Sequence, residues 1–369
     1  MEQLIASIYE TLKGYRADEK TPGVRMTTAR IETWIKQFEE PLRIPILTEL
    51  DSIFKKRYYS KEQVQEYLEK LVEYFSKEFG FKNPIDFLKN TDFLDLQEHG
   101  KSQKVMLKLF GNMIESKYGI SLVECGTTSK KYSFYLDDVL CTGLKMMTNI
   151  KEWLDKDFHK GKTNNQALAD KSTKLILFYI MIHEKNYNNK TWEMGKNNMQ
   201  VLKDNHQLYY MKEIKNDIYH APNFDLVYPL AENQSDEVIE YENEIIETVD
   251  KYTAEKKYQT RNDFYRPTGL PKKDVIFTSP ENRAIVENAF LEKGIEILKK
   301  SNVQKKSMRA LGYSMPSQKN FGFGALCFTW RNVPNNAPLV FWWEGGGFTP
   351  LFKVTRGEVF DFGKFFDLE

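Results

Sequence analysis

The chain has 369 residues, with 53 basic against 52 acidic side chains and a net charge of +1, so no global field recruits nucleic acid and a polyanionic partner would need a local patch. That length buries an ample core and leaves room for two or three domains, or one large elaborated one. Cys125, Cys141 and Cys327 are odd in number and widely spaced, which argues against a disulfide scaffold or zinc site and for a reducing compartment. The longest apolar run, residues 175–182, is far short of a membrane span, and the Met-Glu-Gln start lacks a basic-then-apolar leader. A cytoplasmic chain without a membrane partner is expected.

Residues 1–80 read as a helical extension. Leu4, Ile5, Ile8 and Leu12 form one stripe; Ile31, Trp34, Ile35 and Phe38 another; after Pro41 and Pro45 come Ile46, Leu47, Leu50, Ile53 and Phe54. Ser60 then caps a helix lined by Val64, Leu68, Leu71, Val72 and Phe75. Stripes of this width suit helices that buttress a core better than a partner-binding surface. Phe93-Leu94-Asp95-Leu96 predicts a short strand, followed by a loop with Gly100-Lys101-Ser102 and a helical stripe through Val105, Leu107, Leu109 and Met113. A Walker loop would need glycine where Asp95 stands, so an NTPase is rejected. A ligand-binding loop and a solvated turn with a capping serine both remain open there. Residues 119–124 predict another strand.

Next comes the stretch with the most chemistry. The apolar run Phe134, Tyr135, Leu136 ends in Asp137 and Asp138. A tight loop, residues 139–143, then opens into a helical period at Met147, Ile150 and Leu154. In a strand, loop, helix unit the amides of Leu140 to Lys145 would face a ligand at a helix N-terminus, where a phosphate finds orphan donors and the positive end of the dipole. A polyol beside that phosphate would meet the two carboxylates. Two other readings stand beside this one. Tyr135-Leu136-Asp137-Asp138 satisfies the Tyr-x-Asp-Asp signature of a polymerase palm, which needs a strand returning after the acids. The acids could also merely cap the helix, although both can hardly do so and adjacent carboxylates repel.

Residues 159–172 are polar and loop-like, and residues 174–183 read as a strand buried on both faces. Strand, helix, strand alternation predicts a parallel α/β sheet with right-handed crossovers. His183, at the carboxyl end of that strand, is a candidate base contact or proton shuttle, with a hydrogen-bonded bystander as the plain alternative. Residues 186–198, rich in Asn and Lys, fit a plain solvated loop best, with a mobile loop over a site as the other reading. Val238, Tyr241, Ile245, Val249 and Tyr252 mark one face of an acidic helix within residues 236–257, and a Pro/Gly-punctuated connector follows. Residues 275–278 predict a strand, and Ser279-Pro280 opens a helix whose first turn holds Arg283, a candidate anion contact or an exposed arginine. The aromatic segment 312–366 includes Trp330, Trp342 and Trp343. With an apolar strand at residues 339–343, it predicts a small β-rich lobe rather than a platform for stacking a base.

The central motif resembles the phosphoribosyl pyrophosphate (PRPP) motif of type I phosphoribosyltransferases, in which apolar residues precede Asp-Asp and Thr-Gly closes the 5′-phosphate loop. Asp137, Asp138, Thr142 and Gly143 stand at the matching positions, and Lys145 replaces the hydroxyl residue two places after that glycine. Together with residues 34–38, 100–103, 279–283, 311–313 and 333–336, the motif resembles the phosphoribosyltransferase-like proteins of prokaryotic conflict (antiphage) systems over roughly residues 30–355.

The resemblance implies a type I phosphoribosyltransferase-like α/β core at residues 81–310, mainly a parallel sheet flanked by helices, between the helical extension 1–80 and an aromatic-rich C-terminal β lobe at 311–369. It implies PRPP or a nucleotide as substrate, held at Val139, Leu140, Cys141, Thr142, Gly143, Leu144 and Lys145, with pyrophosphate contacts at Gly100, Lys101 and Ser102. Mg2+ would be held through the ligand and by Asp137 and Asp138, which also serve the chemistry at the ribose anomeric carbon. The role implied is a glycosyltransferase-like toxin or effector, restrained by a defence-system partner such as a reverse transcriptase or nucleotide sensor. A catalytically inactive nucleotide-sensing or partner-binding module is the rival.

Overall fold

The protein is described by a computed structural model over residues 1–98, 100–196, 199–219, 222–254, 260–301 and 307–354. Along the chain run α1 (Glu2–Leu12), α2 (Thr28–Ile35), α3 (Glu40–Arg57), β1 (Tyr58–Tyr59), α4 (Lys61–Glu78), α5 (Pro84–Lys89), β2 (Thr91–Phe93) and α6 (Ser102–Tyr118). Then come β3 (Tyr132–Leu140), α7 (Leu144–Leu154), β4 (Asp157–His159), β5 (Lys162–Thr163), α8 (Asn164–Ala169), β6 (Lys174–His183), α9 (Glu184–Lys196), α10 (Gln200–Asp204) and β7 (His206–Ile214). The last elements are α11 (Asp236–Thr253), α12 (Pro280–Ser301), β8 (Phe328–Thr329) and α13 (Leu339–Trp342). They form two compact units, Met1–Ser60 with Lys215–Glu369, and Lys61–Ile214. The boundaries expected near 80 and 310 do not coincide with these: the second unit is a continuous insertion between two halves of the first.

The inserted unit carries a four-stranded sheet in the order β2-β3-β6-β7, parallel throughout. Strand alternation divides its side chains between two faces. On one face Phe134 meets Phe75 of α4 at 5.0 Å and Phe87 of α5 at 5.8 Å between ring centroids, and Phe178 meets Tyr67 at 6.0 Å. On the other, Tyr135, Leu175, Leu177 and Tyr179 pack with Met147, Ile150 and Trp153 of α7, Met194 of α9 and Leu202 of α10. Each such fully buried ring or aliphatic chain is worth about 1.5–3 kcal/mol, enough to fix the register that sets Asp137 opposite Tyr179.

In the other unit α3 packs against α1 and α12. The C-terminal aromatics are part of this core and not a separate β lobe. Phe341 lies 5.2 Å from Phe290 and 5.2 Å from Phe328, and Trp34 of α2 donates from Nε1 to Val340 O at 2.7 Å. Among the described residues of 311–354 the only strand is the two-residue β8, paired with β1, and residues 339–342 are helical where a strand was expected. Residues 355–369 lie outside the described residues.

Other expectations shift for local reasons. Residues 119–124 are not a strand: Gly119 ends α6 with a left-handed φ of 66°, and Ser121 and Glu124 form a capping box around a 3₁₀ turn. No strand forms at residues 275–278, because Asp274 Oδ1 accepts the amides of Ile276 and Phe277 and turns the chain. Residues 159–172 hold β5 and α8, the latter opened by a Thr163–Gln166 capping box. The stretch expected as a loop is α9, with Asn197 and Asn198 outside the described residues.

Candidate functional site

Strand β3 continues through the acids to Leu140, so Val139 and Leu140 belong to the sheet and the connecting loop is only residues 141–143. Leu144 and Lys145 form the first turn of α7. Gly143 is the N-cap residue with φ 74° and ψ 0°, a left-handed conformation that glycine adopts without strain. The loop's carbonyls face α9 and the end of β6. Leu140 O accepts from His183 Nδ1 at 3.0 Å, which fixes that nitrogen as the protonated one, and Cys141 O accepts from Asn186 Nδ2 at 2.7 Å. Among the described residues the amides of Thr142 and Gly143 meet no acceptor, while Leu144 N–H reaches Thr142 Oγ1 at 3.4 Å. Two unclaimed donors at the positive end of a helix suit an anion.

Asp137 is buried and fully engaged. Its Oδ1 accepts from Ser102 Oγ at 2.5 Å and from the Asp138 amide at 2.9 Å; its Oδ2 accepts from Gln97 Nε2 at 2.7 Å and from Tyr135 OH at 3.3 Å. Tyr135 OH in turn accepts from Gln97 Nε2 at 2.8 Å and Asn149 Nδ2 at 3.0 Å. Gln103 Oε1, on α6, accepts the amides of Leu96 and Gln97, both at 2.9 Å, and so shapes the loop that presents Gln97. Burial, and then the neighbouring charge of Asp138, push the Asp137 carboxyl up to about 7 against these hydrogen bonds. Asp138 is buried as well, and its Oδ1 accepts from Val139 N–H at 2.7 Å.

The structure therefore joins the two loops that the sequence suggested separately. Ser102 is not a helix cap; its hydroxyl bonds Asp137. Gly100 sits in the turn before α6 with φ 84°, and Lys101 occupies the N-cap position of that helix. His99 lies outside the described residues. Gln97, Gln103 and Asn149 were missed as site residues, yet Asn149 carries a visible signal: a polar side chain, 1% exposed, on the buried face of α7. His183, fully buried, anchors the loop.

Arg283 corrects an expectation. It lies in the other unit, where Nε pairs with Glu287 at 2.8 Å, Nη1 with Asp274 at 2.7 Å, and Nη2 donates to Leu226 O at 2.7 Å. Its guanidinium is thus spent on internal partners. The polymerase palm is also excluded: β3 lies between parallel neighbours and leads into α7, with no strand returning after the acids.

A sequence-family model described as PRTase-CE matches residues 31–354. The chain belongs to the PRTase-CE family. No curated protein and no solved structure matches it. The family makes this a phosphoribosyltransferase-like protein, and its mixed α/β architecture, parallel strands flanked by helices, is consistent with the type I fold. Among the described residues of this PRTase-CE chain no helix is long and apolar enough to cross a membrane.

Proposed function

We propose that this PRTase-CE protein binds PRPP or a related nucleotide at the β3–α7 turn and carries out magnesium-dependent chemistry at the ribose anomeric carbon, as an effector in an antiphage conflict system. The observation that carries the reading is the turn itself: carbonyls drawn back by His183 and Asn186, and the amides of Thr142 and Gly143 left at the N-terminus of α7, one short loop after paired carboxylates. The amides would hold the 5′-phosphate, and the carboxylates would bind ribose hydroxyls and stabilise positive charge developing at the anomeric carbon.

The donor set is that of a hard dication, carboxylate oxygen from Asp138 and from Asp137, the latter only by giving up one of its internal hydrogen bonds, and positive charge there would offset the burial and the Asp138 charge that together raise Asp137. Asp138 and Asp137 would hold magnesium together with the ligand, and the ion would supply neutralisation of the charge on a pyrophosphate leaving group.

Titration of the protein with PRPP and magnesium tests the reading. Each charge-assisted hydrogen bond is worth about 1.5–3 kcal/mol, so D137N should weaken binding roughly tenfold to over a hundredfold, and an unchanged affinity counts against it. A second reading, a nucleotide sensor without turnover and coupled to a defence partner such as a reverse transcriptase, draws support from Asp137, whose two oxygens are already occupied by Ser102, Gln97, Tyr135 and the Asp138 amide. Release of pyrophosphate or free base on incubation separates the two: binding without release favours the sensor.

A further inference from the structure

Helix α9 does more than back the loop. Asn186 and Lys190 stand four apart and so share one line of α9, and His183 ends β6 immediately before that helix. All three touch the β3–α7 turn: His183 at Leu140 O, Asn186 at Cys141 O, and Lys190 against Gly143, where an added Cβ would come within 2.7 Å of Lys190 Cγ. The Lys190 stem thus lies over the glycine that opens the amide cradle. Its residue is 7% exposed, yet its ammonium is held by Glu193, at 2.8 Å and 2.7 Å from the two carboxylate oxygens, and the Glu193 side chain is 38% exposed.

We propose that Lys190 is a phosphate-binding residue of this site and that Glu193 is its resting partner, displaced when a phosphorylated ribose occupies the turn. The inference rests on the reading of the turn as a sugar-phosphate cradle. A lysine ammonium is a point charge on a flexible stem, so rotation about its last bonds moves it between anions without moving α9. Glu193 loses little on release, because half-exposed carboxylates are readily solvated. The ammonium gains a doubly charged oxyanion beside the amides of Thr142 and Gly143, which meet no acceptor among the described residues. Lys145 is exposed in the first turn of α7, and the atoms that a Cβ at Gly143 would meet belong to Lys190 and Leu140. The arrangement also accounts for the glycine: any side chain at 143 would push the lysine stem off the loop.

The test is calorimetric titration of the full chain with ribose 5-phosphate, on wild type, K190Q and E193Q, at low and high salt. The proposal expects K190Q to bind roughly tenfold to a hundredfold more weakly, with a shallower salt dependence, and E193Q to bind severalfold more tightly because its competing charge is gone. E193Q changes a half-exposed side chain and guards against a K190Q result that reflects misfolding. If wild type binds while K190Q matches it, or E193Q is no tighter, the inference is overturned and the cradle reading stands. If wild type does not bind ribose 5-phosphate at all, both fall.

Discussion

Replacing Gly143 by alanine adds two separable costs. A non-glycine residue at φ 74° costs about 1–2 kcal/mol in the left-handed region. The added methyl also meets Lys190 Cγ at 2.7 Å, well inside contact distance, while its next neighbours, Lys190 Cδ at 3.5 Å and Leu140 Cδ2 at 3.7 Å, are ordinary contacts. Overpacking of this kind costs about 1–3 kcal/mol, giving roughly 2–5 kcal/mol for G143A in total. Truncating Lys190 to alanine removes Cγ and with it the steric part alone. In the K190A background G143A should therefore cost only about 1–2 kcal/mol, a coupling of about 1–3 kcal/mol between the two sites. Urea denaturation of the four proteins, followed by circular dichroism, measures the cycle. If G143A costs the same in both backgrounds within about 0.5 kcal/mol, the lysine stem does not lie on the loop and the α9 argument fails.

Stability should also depend on pH through Asp137. Its carboxyl is raised from the usual 3.8 to about 7 when folded, so between those values the folded protein keeps a proton that the unfolded chain has lost. The stabilisation is fully present below pH 4 and is lost as pH rises through 7, at up to about 1.4 kcal/mol per unit, and D137N should flatten that slope in urea melts taken from pH 4 to 8. S102A removes a hydrogen bond that holds the Asp137 pKa down, and should raise the carboxyl titration seen by carbon NMR. R283M leaves Asp274 without its buried cation and Glu287 with Arg266 alone, and should destabilise by about 3–5 kcal/mol while PRPP affinity stays at the wild-type value; a loss of affinity at unchanged stability would return Arg283 to the ligand site.

The central unit was legible because its signals are local. A short unbroken apolar run rich in β-branched and aromatic residues suits a strand buried on both faces, and residues 174–183 form β6; paired acids, Thr-Gly and a helical period wrote out the β3–α7 turn in order. What the sequence hid depended on partners far along the chain. Residues 206–214 form β7 at the sheet edge, and their half-exposed mixture of Lys, Glu and Tyr lacks the continuous apolarity of an interior strand. The aromatic segment looked like a lobe because tryptophan density says that a core exists without saying whose it is, and here Phe341 closes the core begun by Trp34 of α2 and Phe54 of α3. Asn and Lys between 186 and 196 suggested a loop on polarity alone, whereas Met194 is buried and Asn186 and Lys190 face the turn. The union of Ser102 with Asp137 was invisible for the same reason: nothing in either stretch announces that a hydroxyl and a carboxylate 35 positions apart share a proton.

The most direct test of the cradle is a crystal structure with PRPP and magnesium bound. The account predicts the 5′-phosphate oxygens at about 2.7–3.2 Å from the amide nitrogens of Thr142 and Gly143, with the ribose hydroxyls turned to Asp138 and Asp137. A PRPP molecule bound elsewhere, with those two amides untouched, would contradict it.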